Sequence, residues 1–144
     1  FLIQLDTLYR IENRGVIPYK PTEKHHFSMY LEGEFYSLHL RKSGYQFKTS
    51  LDKLDAQLLY NTILKPLLNI TDVRNNNRID YLSGKREIIS LKSKIDSGEF
   101  KVGFNMIPAN MEELKNIADD GLKMPPKSTY IEPKLRSGVT IYEF

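Results

Sequence analysis

The stretch Phe27-Ser28-Met29-Tyr30-Leu31-Glu32-Gly33-Glu34-Phe35-Tyr36-Ser37-Leu38-His39-Leu40 reads as a β-hairpin turning at Glu32-Gly33. A two-residue turn that matches the strand twist needs positive φ at its centre, and a pair ending in glycine supplies it. That loop length sets the register: Leu31 opposite Glu34, Met29 opposite Tyr36 and Phe27 opposite Leu38. One face is then mostly apolar. The other carries Tyr30 with Phe35, Ser28 with Ser37 and His26 with His39, pairs close enough to interact across the strands.

Working outward, residues 1–10 show helical spacing through Leu2, Leu5 and Leu8 or Tyr9. Arg14-Gly15, Pro18 and Pro21 predict a loop. Downstream, Leu51, Leu54, Leu58, Leu59, Ile63 and Leu67 mark one side of a long helix over 51–68, kinked or ended by Pro66. A polar loop over 72–77 leads to a short predicted strand at 78–82. After Ser83-Gly84 a helix is predicted over 85–96, stopped at Gly98. Residues 100–107 alternate cleanly, with Val102, Phe104 and Met106 on one face. Asn110 and Glu113 have capping-box spacing for a helix ending near Gly121. A last strand is predicted at 139–144. The class that follows is α+β, a mixed β-sheet with a hairpin and three to four helices packed on it. Strand order stays open, with a more regular α/β arrangement as the alternative.

The 144 residues suit a single domain with a real core, and nine Tyr and seven Phe argue against disorder. The chain opens in the amphipathic run Phe1-Leu2-Ile3-Gln4-Leu5, which predicts a C-terminal part of a longer protein lacking its N-terminal half. No run approaches the roughly 20 apolar residues of a membrane span, and no secretory signal pattern is present. Zero cysteines remove disulfides, thiolate nucleophiles and Cys-based zinc sites, and are compatible with the cytoplasm, the expected location. The net charge of +3 is small, yet residues 123–138 hold Lys123, Lys127, Lys134 and Arg136 against one acid, Glu132. All of the surplus lies there. A single basic loop is a small footprint for a phosphate backbone, so nucleic acid is disfavoured as a partner.

Two segments have the composition of an anion site. Lys127, Ser128, Thr129, Lys134 and Arg136 combine fixed charge with short hydroxyl donors on a loop stiffened by Pro125, Pro126 and Pro133. A solvated connector steering the chain into the last strand is the plainer alternative. Arg74 and Arg78 flank a polar loop and would clamp a carboxylate or phosphate, with Asp80 orienting one guanidinium; an exposed turn with an Arg78–Asp80 ion pair is the plainer reading. His25, His26 and His39 give two facing imidazoles and no third ligand at a telling spacing, so no metal site is expected. No motif names a cofactor or a catalytic residue.

The run Ala118-Asp119-Asp120-Gly121-Leu122-Lys123-Met124-Pro125-Pro126-Lys127-Ser128-Thr129-Tyr130-Ile131-Glu132-Pro133-Lys134-Leu135-Arg136-Ser137-Gly138 resembles the C-terminal signature of a bacterial family catalogued as domain of unknown function 1015. Leu54-Asp55, the segment from Arg74 to Arg78-Ile79-Asp80-Tyr81 and the strand Glu34-Phe35-Tyr36-Ser37-Leu38 look similar to that family as well. A glycine pair common after the Arg-Ile-Asp segment is Ser83-Gly84 here, and the family's upstream Gly-His-His-Arg motif is absent. The resemblance implies a fold shared with nucleotide hydrolases and a serine kinase, and hence a small-molecule phosphotransferase-like enzyme linked to serine metabolism. On this expectation the tail contributes a phosphate-binding loop, and the partners are the N-terminal domain and a phosphorylated small molecule or nucleotide. The alternative is a non-catalytic regulatory or protein-interaction domain.

Overall fold

The computed structural model describes residues 1–82 and 87–128. Ser83-Gly84, the first residues of the helix predicted from 85 and the strand predicted at 139–144 lie outside them. Within them the fold is α+β: a four-stranded sheet of order β1-β3-β2-β4 with helices against it. The strands are β1 (Tyr9–Gly15), β2 (His26–Leu31), β3 (Glu34–Leu40) and β4 (Val102–Asn105). Every pairing among them is antiparallel.

The hairpin has the register read from its alternation, with Phe27 opposite Leu38, Met29 opposite Tyr36 and His26 opposite His39. Glu32 and Gly33 both have positive φ, 50° and 89°, the mirror-image turn that follows the right-handed twist. β4 extends the sheet beyond β2, with Met29 opposite Phe104 and Tyr30 opposite Gly103.

Four expectations are corrected. The first helix, α1, covers only Leu2–Asp6, and Tyr9 begins a strand instead of closing the helix. Tyr9 and Ile11 alternate with Arg10 and Glu12, and pairing with β3 buries Tyr9 completely. Its hydroxyl meets Thr62 Oγ1 at 2.7 Å. Because Thr62 Oγ1 is the donor to the Leu58 carbonyl (2.6 Å), Tyr9 is the donor in that pair. Arg14-Gly15 is a bulge rather than a loop: Asn13 Oδ1 accepts the Gly15 amide and Gly15 has φ +61°.

The helix over 51–68 is broken into a 3-10 turn at Leu51–Lys53, an α-helix, α2, at Asp55–Leu59, and a π-helical turn at Tyr60–Leu64. The first break lies at Leu54, whose ψ of 128° is extended, and Pro66 is the physical reason for the second. It has no N–H for the Thr62 carbonyl, and the preceding turn widens so that the Lys65 amide reaches Tyr60 instead.

Residues 78–82 form no strand. Their backbone is satisfied locally: the Arg78 amide by Asn76 Oδ1, the Ile79 amide by the Asn76 carbonyl and the Tyr81 amide by Asp80 Oδ1. Short polar side chains of this kind compete with a sheet ladder.

The apolar sheet face carries Tyr9, Phe27, Met29 and Leu38, packed under Leu58, Leu59, Ile63, Leu64 and Ile70. Each such side chain contributes roughly 1.5–3 kcal/mol on full burial. The opposite face is covered in part by α3 (Glu87–Asp96), which lies over Gly103. Tyr30 stacks near Phe35 with ring centroids 4.5 Å apart and donates to Asp96 Oδ1 at 2.7 Å. Gly98 and Gly121 end α3 and α4 (Met111–Asp119) with positive φ, and Asn110 with Glu113 forms the expected capping box. Among the described residues no helix is long and apolar enough to cross a membrane.

Candidate functional site

The helical segment 51–68, the loop 70–82, α3, β4 and the stretches 105–114 and 125–128 line a half-open cavity of about 1080 Å³. Its lining is predominantly apolar, with Leu59, Leu64, Ile79, Ile95, Phe104 and Leu114 among the contributors. The sheet presents its apolar residues to this side because strand alternation puts Val102, Phe104 and Met106 on one face.

Both predicted cationic segments border this cavity. Arg74 and Arg78 come from the loop, Lys127 and Ser128 from the stretch after α4. Thr129, Lys134 and Arg136 lie outside the described residues. Arg74 stands at a turn built by Asp72, whose Oδ1 accepts the amides of Arg74 (2.8 Å) and Asn75 (3.3 Å). These bonds hold the Asp72 carboxyl below its usual range. Arg78 is partly committed, since its Nη2 donates to the Leu68 carbonyl at 2.8 Å and ties the loop to the turn that follows the π-helical segment. Asp80 orients neither arginine. It pairs with Lys94 at 3.0 Å, and that bond, with the Tyr81 amide, keeps its carboxyl low.

Lys127 has φ +57° and an exposed side chain. A non-glycine residue in this region carries roughly 1–3 kcal/mol of strain that its surroundings must hold. Part of the holding comes from Ser128, whose Oγ donates to the Pro125 carbonyl at 2.5 Å. The Ser128 hydroxyl hydrogen is therefore used in shaping the turn. Among the described residues neither Arg74 nor Lys127 forms an ion pair.

One further polar residue lines the cavity, and sequence reading did not single it out for a site. Asp55, the first residue of α2, is 1% exposed. Its Oδ1 accepts the His25 amide at 2.8 Å, which fixes the entry to β2, while its Oδ2 is buried with no hydrogen-bond partner among the described residues. Burial raises the Asp55 carboxyl above its ordinary value, opposed by the His25 amide and the nearby Lys24. Lys24 does not neutralise it by contact, because its Nζ is held by Glu113 Oε2 (2.8 Å) and the Pro108 carbonyl (3.2 Å). His25 has φ +64° and stacks on Phe47 at 4.6 Å. Apart from the family likeness of Leu54-Asp55, its sequence signal was an acid opening a helix, which ordinarily reads as a solvated end.

His26 and His39 form the cross-strand pair on the other face, with ring centroids 4.2 Å apart and His39 Nδ1 3.4 Å from His26 Nε2. Burial and the neighbouring His26 lower the His39 imidazole below its ordinary value. Among the described residues no three His, Asp or Glu side chains group closely enough to hold a metal.

No protein-family profile, no curated protein and no solved structure matches this chain.

Proposed function

We propose that this domain binds, in the cavity between the 51–82 segment, β4 and the 125–128 turn, a small molecule with an apolar body and a phosphate or carboxylate end. Arg74, Arg78 and Lys127 meet the anion, and Ser128 holds the turn that presents Lys127. One observation carries this: two cationic segments far apart in the chain border the same apolar cavity. Such a lining with a few converging polar groups is the usual composition of a small-molecule site. The same basic segment continues in sequence through Thr129, Lys134 and Arg136. The resemblance to domain of unknown function 1015 supports a wider role, the ligand-holding part of a cytoplasmic bacterial phosphotransferase-like enzyme linked to serine metabolism. These residues bind and orient; none is assigned the transfer step.

Thermal unfolding with octanoate, phosphoserine, nucleotides or inorganic phosphate tests the reading. A true ligand at about 100 times its Kd adds roughly 2.7 kcal/mol and raises Tm by several degrees. Arg74 and Lys127 are both exposed, so Arg74→Ala and Lys127→Ala should leave folding intact. A charge-assisted hydrogen bond contributes about 1.5–3 kcal/mol, so each substitution should weaken binding about tenfold or more. No shift with any compound, or a shift indifferent to both substitutions, rules the reading out.

A second reading, a regulatory domain that docks a protein in the same cavity, is favoured by Met111, which lines it and is 79% exposed. It predicts that no small molecule shifts Tm.

A further inference from the structure

The cavity has an acid as well as cations, and the acid is incompletely paired. Asp55 lines it, is almost wholly out of solvent, and uses one carboxylate oxygen on the His25 amide while the other has no partner among the described residues. A buried carboxylate oxygen without a donor is unfavourable unless something supplies one. Lys24, a cation close enough to act on it, is turned to Glu113 and Pro108. Within the same lining, Arg74 and Lys127 offer positive charge and, among the described residues, form no ion pair.

We propose that the ligand is a zwitterion of the amino-acid type, whose anionic end meets Arg74 and Lys127 and whose ammonium donates to Asp55 Oδ2. This rests on the cavity being the ligand site and narrows what enters it. A pocket built to receive a hydrogen-bond donor discriminates strongly against an analogue lacking it, because the buried acceptor is then left unpaired. An apolar pocket alone would instead disfavour an added ammonium.

Two probes of equal length separate the ideas: octanoate, and the same acid carrying a terminal ammonium. Calorimetric titration of the unsubstituted protein should show the amino acid binding at least tenfold more tightly. Asp55→Asn keeps an oxygen for the His25 amide and replaces the unpaired acceptor by a donor. It should erase that preference. Equal Kd values for the two probes, or a preference that survives Asp55→Asn, overturn the assignment while octanoate binding sustains the cavity as the site. If neither probe binds, the cavity reading and this assignment fall together. The comparison on the unsubstituted protein decides the matter even if the variant does not fold.

Discussion

At the scale of single residues, Asp55 shows how one side chain can serve the fold and still hold capacity in reserve. Its Oδ1 staples the His25 amide across a turn in which His25 itself has φ +64°. Its ionised form is disfavoured by burial, so the carboxyl rises above its ordinary 3.8. The sign of the consequence is fixed by linkage. The folded state keeps this proton to higher pH than the unfolded chain, so the stability contribution is complete below 3.8 and is lost as pH rises through the folded value. The amide of Asp55→Asn has no such proton. Unfolding free energies by urea across mildly acidic pH should fall, as pH rises above 3.8, in the unsubstituted protein relative to Asp55→Asn. A difference between the two that stays constant with pH would show that the carboxyl is not raised. The nearby charges act unequally, with Lys24 and His25 opposing the rise and Glu113 adding to it.

At the scale of elements, the covering of the sheet depends on close approach at Gly103. A Cβ built there would lie 2.7 Å from Leu91 Cγ and 2.8 Å from Ile95 Cδ1, so α3 can sit down on β4 only because that position is bare. Gly103→Ala should therefore destabilise the domain by about 1–3 kcal/mol, the usual penalty of overpacking, read as a lower urea midpoint with an unchanged slope. An unchanged midpoint would mean that α3 is not seated on this strand. Elements also divide by how legible they were. The hairpin was readable to the exact partner, since alternation and a turn of Glu32-Gly33 are local signals that fix register together. The cap at Asn110 and the stops at Gly98 and Gly121 were readable for the same reason. β1 was not, because Leu2, Leu5 and Leu8 carry a helical period up to the strand, and only the pairing of Tyr9 with Leu40 and Ile11 with Leu38 decides for strand. The π-helical turn at Tyr60–Leu64 was hidden for a different reason: Pro66 predicts an interruption, but not that the preceding turn would widen.

At the scale of the whole molecule, the candidate site is a product of tertiary packing. The loop with Arg74 and Arg78 and the turn with Lys127 were each recognisable from charge and proline content. Nothing local says that they share a wall, because the distance between segments is set by how 51–82 and the post-α4 stretch close over the same sheet face. Asp55 was less legible still, since its environment depends on Lys24 and His25 just before β2 and on Glu113 in α4, residues far from it in the chain. The central claim is that this closure creates a ligand site for an anion with an apolar body. It is tested most directly by following backbone amide resonances during titration with octanoate. The account predicts that the largest shifts fall on residues 55–64, 74–81 and 102–106 and on Lys127, while His26 and His39 on the opposite sheet face stay still. Shifts confined to the surroundings of His26 and His39, or none at saturating octanoate, would contradict it.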